Sequence, residues 1–234
     1  MEFEDPREQE IIRSWYCNAA PWSRAIRTAS IASRKLVTNQ AVIDAVSGVS
    51  PDSVLDLGCG EGWLASALAE RGIRATGVDV VPELIAQAAS RAAAMDSQVR
   101  PEFLVQDYSA IAQRLWAGGR FDAAVCNFSL LGADSVEALL AALPFYLQRP
   151  GRLIIQTLHP VAACGELPYE DGWRAGSWLG FGSDFRDPAP WYFRTIESWQ
   201  AMLQRCGFEI IERREPTAAG AVTPASIIWI GNLR

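Results

Sequence analysis

Histidine is almost missing from this chain: His159 is the only one in 234 residues, and the five cysteines form no C-x-x-C pair. Zinc sites draw on clustered His and Cys, so no metal centre is expected. Cys17, Cys59, Cys126, Cys164 and Cys206 are odd in number and dispersed. That usage reads as reduced thiols in the cytoplasm, not as a disulfide scaffold. No apolar run approaches the roughly 20 residues that span a bilayer. Residues 1–10 are acidic and carry no apolar core, unlike a secretory signal. A membrane partner is therefore not expected. Basic charge is short as well: 21 Lys and Arg stand against 27 Asp and Glu, a net charge of −6 without a basic stripe. Phosphate neutralisation supplies most nucleic-acid affinity, so a DNA or RNA partner is not expected either. Repeats and low-complexity tracts are lacking.

What is present can build a core. Half of the residues are hydrophobic and 21% are charged, which suits one globular domain, with or without an appendage. Apolar runs at 53–57 (SVLDL), 75–80 (ATGVDV), 103–106 (FLVQ), 121–127 (FDAAVCN) and 152–158 (RLIIQTL) read as strands. Helical patterns separate them at 63–71, stopped by Gly72, at 82–95, opened by Pro82, and at 135–147. Arg149-Pro150-Gly151 reads as a turn. A last helix at 196–206 precedes two strands at 208–213 and 226–230. Strands alternating with helices predict an α/β fold with a parallel sheet covered on both faces. Two segments stand outside the alternation. One is a helical N-terminal cap over residues 1–50. The other is an insertion at 160–194, rich in Gly, Pro and aromatics, within the main domain of residues 51–234. So long a structureless stretch suits a lid or binding loop.

The chemistry concentrates where the first strand meets the first helix. Gly58, Gly60 and Gly62 there allow a tight turn and close approach of a ligand to the main chain. Dinucleotide folds use G-x-G-x-x-G to seat a pyrophosphate on the helix N-terminus. This chain has G-x-G-x-G, with Asp56 two residues before the first glycine. A carboxylate there opposes a pyrophosphate and suits a cationic ligand. Asp79, with Val80 beside it, ends the second strand. It is placed either to accept from two ribose hydroxyls or to supply a charge at the start of the next helix. Asp107, beside Tyr108, follows the third strand. It suits an adenine amino group or a helix cap near Ser109.

The stretches 54–62 (VLDLGCGEG), 77–80 (GVDV), 106–108 (QDY), 121–131 (FDAAVCNFSLL) and 149–160 (RPGRLIIQTLHP) resemble the class I S-adenosylmethionine-dependent methyltransferases, in style the small bacterial enzymes acting on small molecules. The resemblance covers residues 53–158 and, more loosely, the last helix and strand pair. It implies a Rossmann-like, mostly parallel sheet of about seven strands with helices on both faces and a C-terminal antiparallel hairpin. It implies that Asp56, Gly58, Cys59 and Gly60 hold the methionine part of the cofactor, Asp79 and Val80 the ribose, and Asp107 and Tyr108 the adenine. Asn127 and Phe128 would line the site near the methyl donor. The N-terminal cap would bring Tyr16 to the cofactor. Arg27 or Arg34 would hold the methionine carboxylate or an acidic substrate, unless these arginines are solvated. The chain departs from the DNA-amino enzymes of this fold, which carry two prolines and an aromatic where Asn127-Phe128-Ser129-Leu130 stands. It also lacks the Pro-Cys of cytosine-C5 enzymes.

Methyl transfer from a sulfonium is an in-line displacement that needs alignment and exclusion of water. A base is needed only when the acceptor carries a proton. His159, at the end of the fifth strand, is the candidate base or acceptor-orienting group, with a packing role as the alternative. The insertion's Trp173, Trp178, Trp191 and Tyr192 are candidates for an aromatic acceptor pocket, or for the insertion's own small core. The leading expectation is a methyltransferase that uses S-adenosylmethionine, acts on an O or N atom of a small molecule and works as a monomer or homodimer. A non-catalytic nucleoside-binding regulator and an NAD(P)-dependent oxidoreductase are the competing readings.

Overall fold

Alternating aliphatic residues build a seven-stranded sheet in the computed structural model, which describes residues 5–234. The reading of residues 1–10 as no secretory signal therefore falls in part on residues 1–4, outside the described residues. The strands are β1 (Ser53–Leu57), β2 (Arg74–Asp79), β3 (Glu102–Val105), β4 (Phe121–Asn127), β5 (Leu147–Thr157), β6 (Gly172–Arg174), β7 (Trp191–Phe193), β8 (Phe208–Arg214) and β9 (Ile227–Leu233). The main sheet has the order β3-β2-β1-β4-β5-β9-β8, and β6 pairs with β7 in a sheet of two. All main-sheet neighbours are parallel except at β9, which runs antiparallel to both β5 and β8. This is the expected α/β architecture with its terminal hairpin.

The helices are α1 (Pro6–Arg27), α2 (Asn39–Gly48) after a π-helical turn at Arg34–Thr38, α3 (Trp63–Ala69), α4 (Pro82–Ala93), α5 (Tyr108–Ala112), α6 (Asp134–Tyr146), α7 (Pro160–Cys164) and α8 (Ile196–Arg205). Successive strand residues point to opposite faces, and both faces are buried. Leu55, Ala124, Leu153, Ile155 and Trp229 pack on one side with α6 and α8. Val54, Ala123, Val125, Ile154 and Ile228 pack on the other with α2 and α3. Within the N-terminal region, α2 thus belongs to the sheet's core, through Val42, Ile43, Ala45 and Val46. α1 lies over the carboxyl edge of the sheet, and the π-helical turn reaches that edge too, where the Thr38 carbonyl accepts from Gln156 Nε2 at 3.0 Å. No helix among the described residues is long and apolar enough to cross a membrane.

Register aligns the carboxyl ends of the parallel strands at one edge: Leu57 is opposite Val78, Asp79 opposite Val105, and Asn127 opposite Gln156. Ligands of open parallel sheets bind at that edge. The Arg149-Pro150-Gly151 turn lies inside β5 rather than ahead of it. Pairing passes from Phe121 with Leu147 to Ala123 with Arg152, so β5 carries extra residues that bulge. A bulge tolerates a proline, which has no N–H to give to the ladder. The insertion is not structureless. α7 opens it, and Trp173 in β6 pairs with Tyr192 in β7. The Tyr192 N–H donates to the Leu131 carbonyl at 2.7 Å, fastening this small sheet to the loop after β4.

Candidate active site

The glycine turn is held shut by the strand beside it. The N–H groups of Gly58 and Cys59 donate to the Val78 carbonyl at 2.8 and 3.0 Å. Asp79 accepts from the Gly60 N–H through Oδ2 and from the Val81 N–H through Oδ1, both at 2.9 Å. Gly58 has φ of 71°, and a Cβ there would lie 2.4 Å from the Ser129 Cβ and 2.7 Å from the Tyr108 hydroxyl. The third glycine answers to packing instead: a Cβ on Gly62 would strike Phe103 at 2.5 Å and Ala88 at 2.8 Å.

Above this turn opens a cavity of about 290 Å³. Gly58, Gly60, Asp79, Val80, Asp107, Tyr108, Asn127 and Phe128 all line it, so eight of the residues expected around a nucleoside meet on one wall. Asp107 meets its capping reading: it caps α5 by accepting from the Ala110 N–H at 2.6 Å. The Tyr108 hydroxyl donates to the Ser129 carbonyl at 3.3 Å. Asn127 Oδ1 accepts from Gln156 Nε2 at 2.8 Å. Phe128 has φ of 55°, a conformation rare for a bulky side chain. Such strain tends to collect at functional sites.

α1 roofs the cavity with Glu8, Ile11, Ile12 and Trp15. The buried Glu8 carboxylate accepts from the Ala133 N–H at 2.8 Å and from the Ser135 hydroxyl at 2.6 Å, which places it on the N-terminus of α6. A negative charge is favoured there. Farther along α1, Asn18 exchanges amide hydrogen bonds with Arg186, at 2.7 and 2.9 Å, and Ser14 donates to the Asp187 carbonyl at 2.6 Å. Arg24 pairs with Asp184. Trp15 stands edge-on to Trp22 at 5.2 Å and to Trp178 at 5.7 Å. Roof and insertion are therefore one packed unit.

Between that unit and the sheet lies a second cavity of about 280 Å³. Trp15, Trp22, Phe128 and Leu131 line both cavities, so the two adjoin there. Trp178, Trp191 and Tyr192 line the second as expected; Trp173 does not. The Trp173 ring lies under the Arg7 guanidinium at 4.6 Å and edge-on to Tyr192 at 5.5 Å, behind the wall. Arg34 lines the second cavity and not the first, between the rings of Trp22 at 5.3 Å and Trp63 at 4.8 Å. Burial lowers its pKa to about 10. Arg27 is exposed.

Four more of the expected residues lie off both walls. Asp56 is buried behind the glycine turn with Oδ2 unpartnered, and burial with the nearby Glu61 and Asp79 charges pushes its pKa up to about 8. Cys59 is buried against the Gly60 carbonyl, and burial raises its thiol pKa. Tyr16 is half exposed and donates to the Val80 carbonyl at 3.0 Å. His159 is buried with neither ring nitrogen hydrogen-bonded. Its Nε2 lies 3.6 Å from Glu215, and neither cavity is lined by it. Its neighbours Leu158 and Pro160 do line the second cavity. Sequence reasoning missed Glu8, Leu131 and Arg194. Glu8 and Arg194 carried no local signal, because each works through contacts with the distant loop before α6.

The family model of the methyltransferase domain matches residues 31–213. The chain belongs to the methyltransferase domain family. The chain is similar to the ubiquinone biosynthesis O-methyltransferase of Xanthomonas axonopodis pv. citri. The two share 33% identity over 114 residues, which is 49% of this chain and 46% of the relative. The alignment thus spans about half the length of the curated relatives it matches. Among solved structures, magnesium protoporphyrin IX methyltransferase from Synechocystis PCC 6803 with bound S-adenosylhomocysteine superposes with a TM-score of 0.59. It shares 20% identity, covering 83% of this chain and 81% of that one. An S-adenosylmethionine-dependent methyltransferase from Clostridium acetobutylicum gives a TM-score of 0.61 at 18% identity, covering 82% and 89%. At these identities the structures show the fold of the chain alone.

Proposed function

We propose that this enzyme binds S-adenosylmethionine in the first cavity and a small-molecule acceptor in the second, and moves a methyl group to an oxygen or nitrogen atom where the cavities meet. The observation that carries this reading is the adjoining pair itself, joined at Trp15, Trp22, Phe128 and Leu131. The residues present fit the cofactor. Glu8, Asp79 and Asp107 line the first cavity without any Lys or Arg, and Asp56 Oδ2 lies unpartnered behind the turn. The Glu8, Asp79 and Asp107 carboxylates suit a sulfonium and an ammonium, not a pyrophosphate, and they weigh against the nicotinamide reading. The cofactor supplies a methyl carbon already attached to a good leaving group.

The chain's own residues supply position and dryness. Asp79 is anchored by one N–H on each oxygen and retains lone pairs for two ribose hydroxyls. Asp107 stands at the far end for the adenine. The turn's N–H groups at Gly58 and Gly60 are already used within the protein. The glycines therefore serve by close approach rather than by donating. The α1 roof and the rings of the insertion exclude water from the junction, which strengthens the electrostatics of transfer. His159, which lines neither cavity, is given no proton transfer in this reading. The free thiols support the reducing cytoplasm as the enzyme's location. The net charge of −6 supports a small molecule over a nucleic acid as its partner. We read the enzyme as a monomer or homodimer.

Calorimetry with S-adenosylhomocysteine tests the cofactor site. Saturable binding is expected, and Asp79→Ala should weaken it by about 2–4 kcal/mol, because charge-assisted bonds to two hydroxyls are lost. Undiminished affinity in that variant refutes the ribose assignment. A protein that binds cofactor yet methylates nothing in a broad acceptor panel is the regulator of the competing reading.

A further inference from the structure

The two cavities are sorted by charge. Carboxylates line the first and no basic side chain does, whereas Arg34 and Arg194 line the second and no Asp or Glu does. This separation occurs in a chain with net charge −6. Both arginines are buried, at 8% and 5% exposure, and neither forms a salt bridge among the described residues. Arg194 donates to the carbonyls of Gly132 at 2.9 Å and Ala133 at 2.8 Å, and lies over the rings of Tyr192 and Trp199. Arg34 keeps Nη2 buried without a partner; its nearest acids, Asp56 and Glu61, act on it only through space. A buried cation normally has a carboxylate partner, since the loss of hydration costs several kcal/mol. Here carbonyls and ring faces hold the guanidinium groups in place without a carboxylate in contact, and Asp171, Glu137 and Glu8 act on Arg194 only through space.

We propose that the second cavity selects an acidic acceptor: a flat ring compound bound as its anion, with its ring against Trp178, Trp191 and Tyr192 and its negative group in the field of Arg34 and Arg194. This rests on the assignment of the second cavity to the acceptor and names the acceptor's chemical class. A further observation agrees. The wall contains no imidazole, carboxylate or amine to take a proton, and an acceptor that is already ionised needs none. Flat rings suit the aromatic faces, and guanidinium groups favour carboxylates and other anionic oxygens over neutral isosteres.

The test is binding of 2-naphthoate and of its neutral isostere 2-naphthamide to the full chain saturated with S-adenosylhomocysteine, followed by ligand-observed NMR and calorimetry. The wild-type protein should prefer the carboxylate at least tenfold. The Arg34→Gln, Arg194→Gln double variant should lose that preference while still binding the aromatic amide. Equal binding of the two probes, binding of neither, or a preference that survives in the double variant overturns the proposal. The wild-type comparison stands even where the double variant fails to fold. Failure to bind S-adenosylhomocysteine would instead overturn the cofactor reading, so the two failures are distinguishable.

Discussion

Replacing Asp56 by Asn should make the ligand-free protein more stable at alkaline pH and leave it unchanged below pH 3.8. Asp56 is in β1, fully buried, with one carboxylate oxygen unpartnered. Burial, then the charges of Glu61 and Asp79, raise its pKa from 3.8 to about 8. The folded state therefore keeps this proton to a higher pH than the unfolded chain does. Folding stability contributed by the group is complete below pH 3.8 and falls as pH rises towards 8. Each unit of separation corresponds to about 1.4 kcal/mol, so wild type should lose on the order of 3 kcal/mol from this group between pH 5 and pH 8. Asn is neutral throughout and cannot titrate. Urea unfolding of both proteins at pH 5, 6.5 and 8 reads the effect of Asp56 and of its coupling to Glu61 and Asp79, because titrating groups away from this cluster are common to the two. The variant should already be the more stable at pH 5, and the gap should widen at pH 6.5 and again at pH 8. Parallel pH profiles, or a wild type that gains on the variant as pH rises, would refute the reasoning and imply that the carboxylate is paired in solution.

Glu8→Ala removes the carboxylate that caps α6 from α1 and should cost about 2 kcal/mol. It should also speed release of S-adenosylhomocysteine in stopped-flow, and an unchanged off-rate would remove α1 from the role of roof. Gly58→Ala puts a methyl 2.4 Å from the Ser129 Cβ at a φ of 71°; a loss of about 3 kcal/mol in thermal or chemical unfolding is expected, and a neutral effect would show that the turn is free to move.

Local chemistry wrote much of this molecule directly into the sequence. β1 and β4 have the bounds that their apolar runs predict, and α4 opens at the proline expected to open it. Asp79 and Asp107 ended where parallel strands end, so the carboxyl edge of the sheet carried them into one cavity. Pattern also named the aromatic insertion, whose Trp178, Trp191 and Tyr192 reach the second cavity. The nicotinamide alternative weakened for a local reason too, the acid placed two residues ahead of the first glycine.

Other features had no local signature. Nothing in the spacing says that Gly62 is small because Phe103 and Ala88 press on it, or that Trp173 faces Arg7 while its neighbours across the hairpin face the cavity. His159 lies two residues past the end of β5, at the N-cap of α7, and its ring packs beside Glu215, which follows the end of β8. Glu8 accepts from the N–H and Arg194 donates to the carbonyl of one peptide, Gly132–Ala133. Strand, turn and cap preferences act over a few residues, and the sequence determined them. Which side chains line a cavity, and with what charge, depends on segments that meet only after folding. α1 and the insertion join through bonds between residues 168 and 173 positions apart, and that meeting, decided by tertiary packing alone, separates the two cavities.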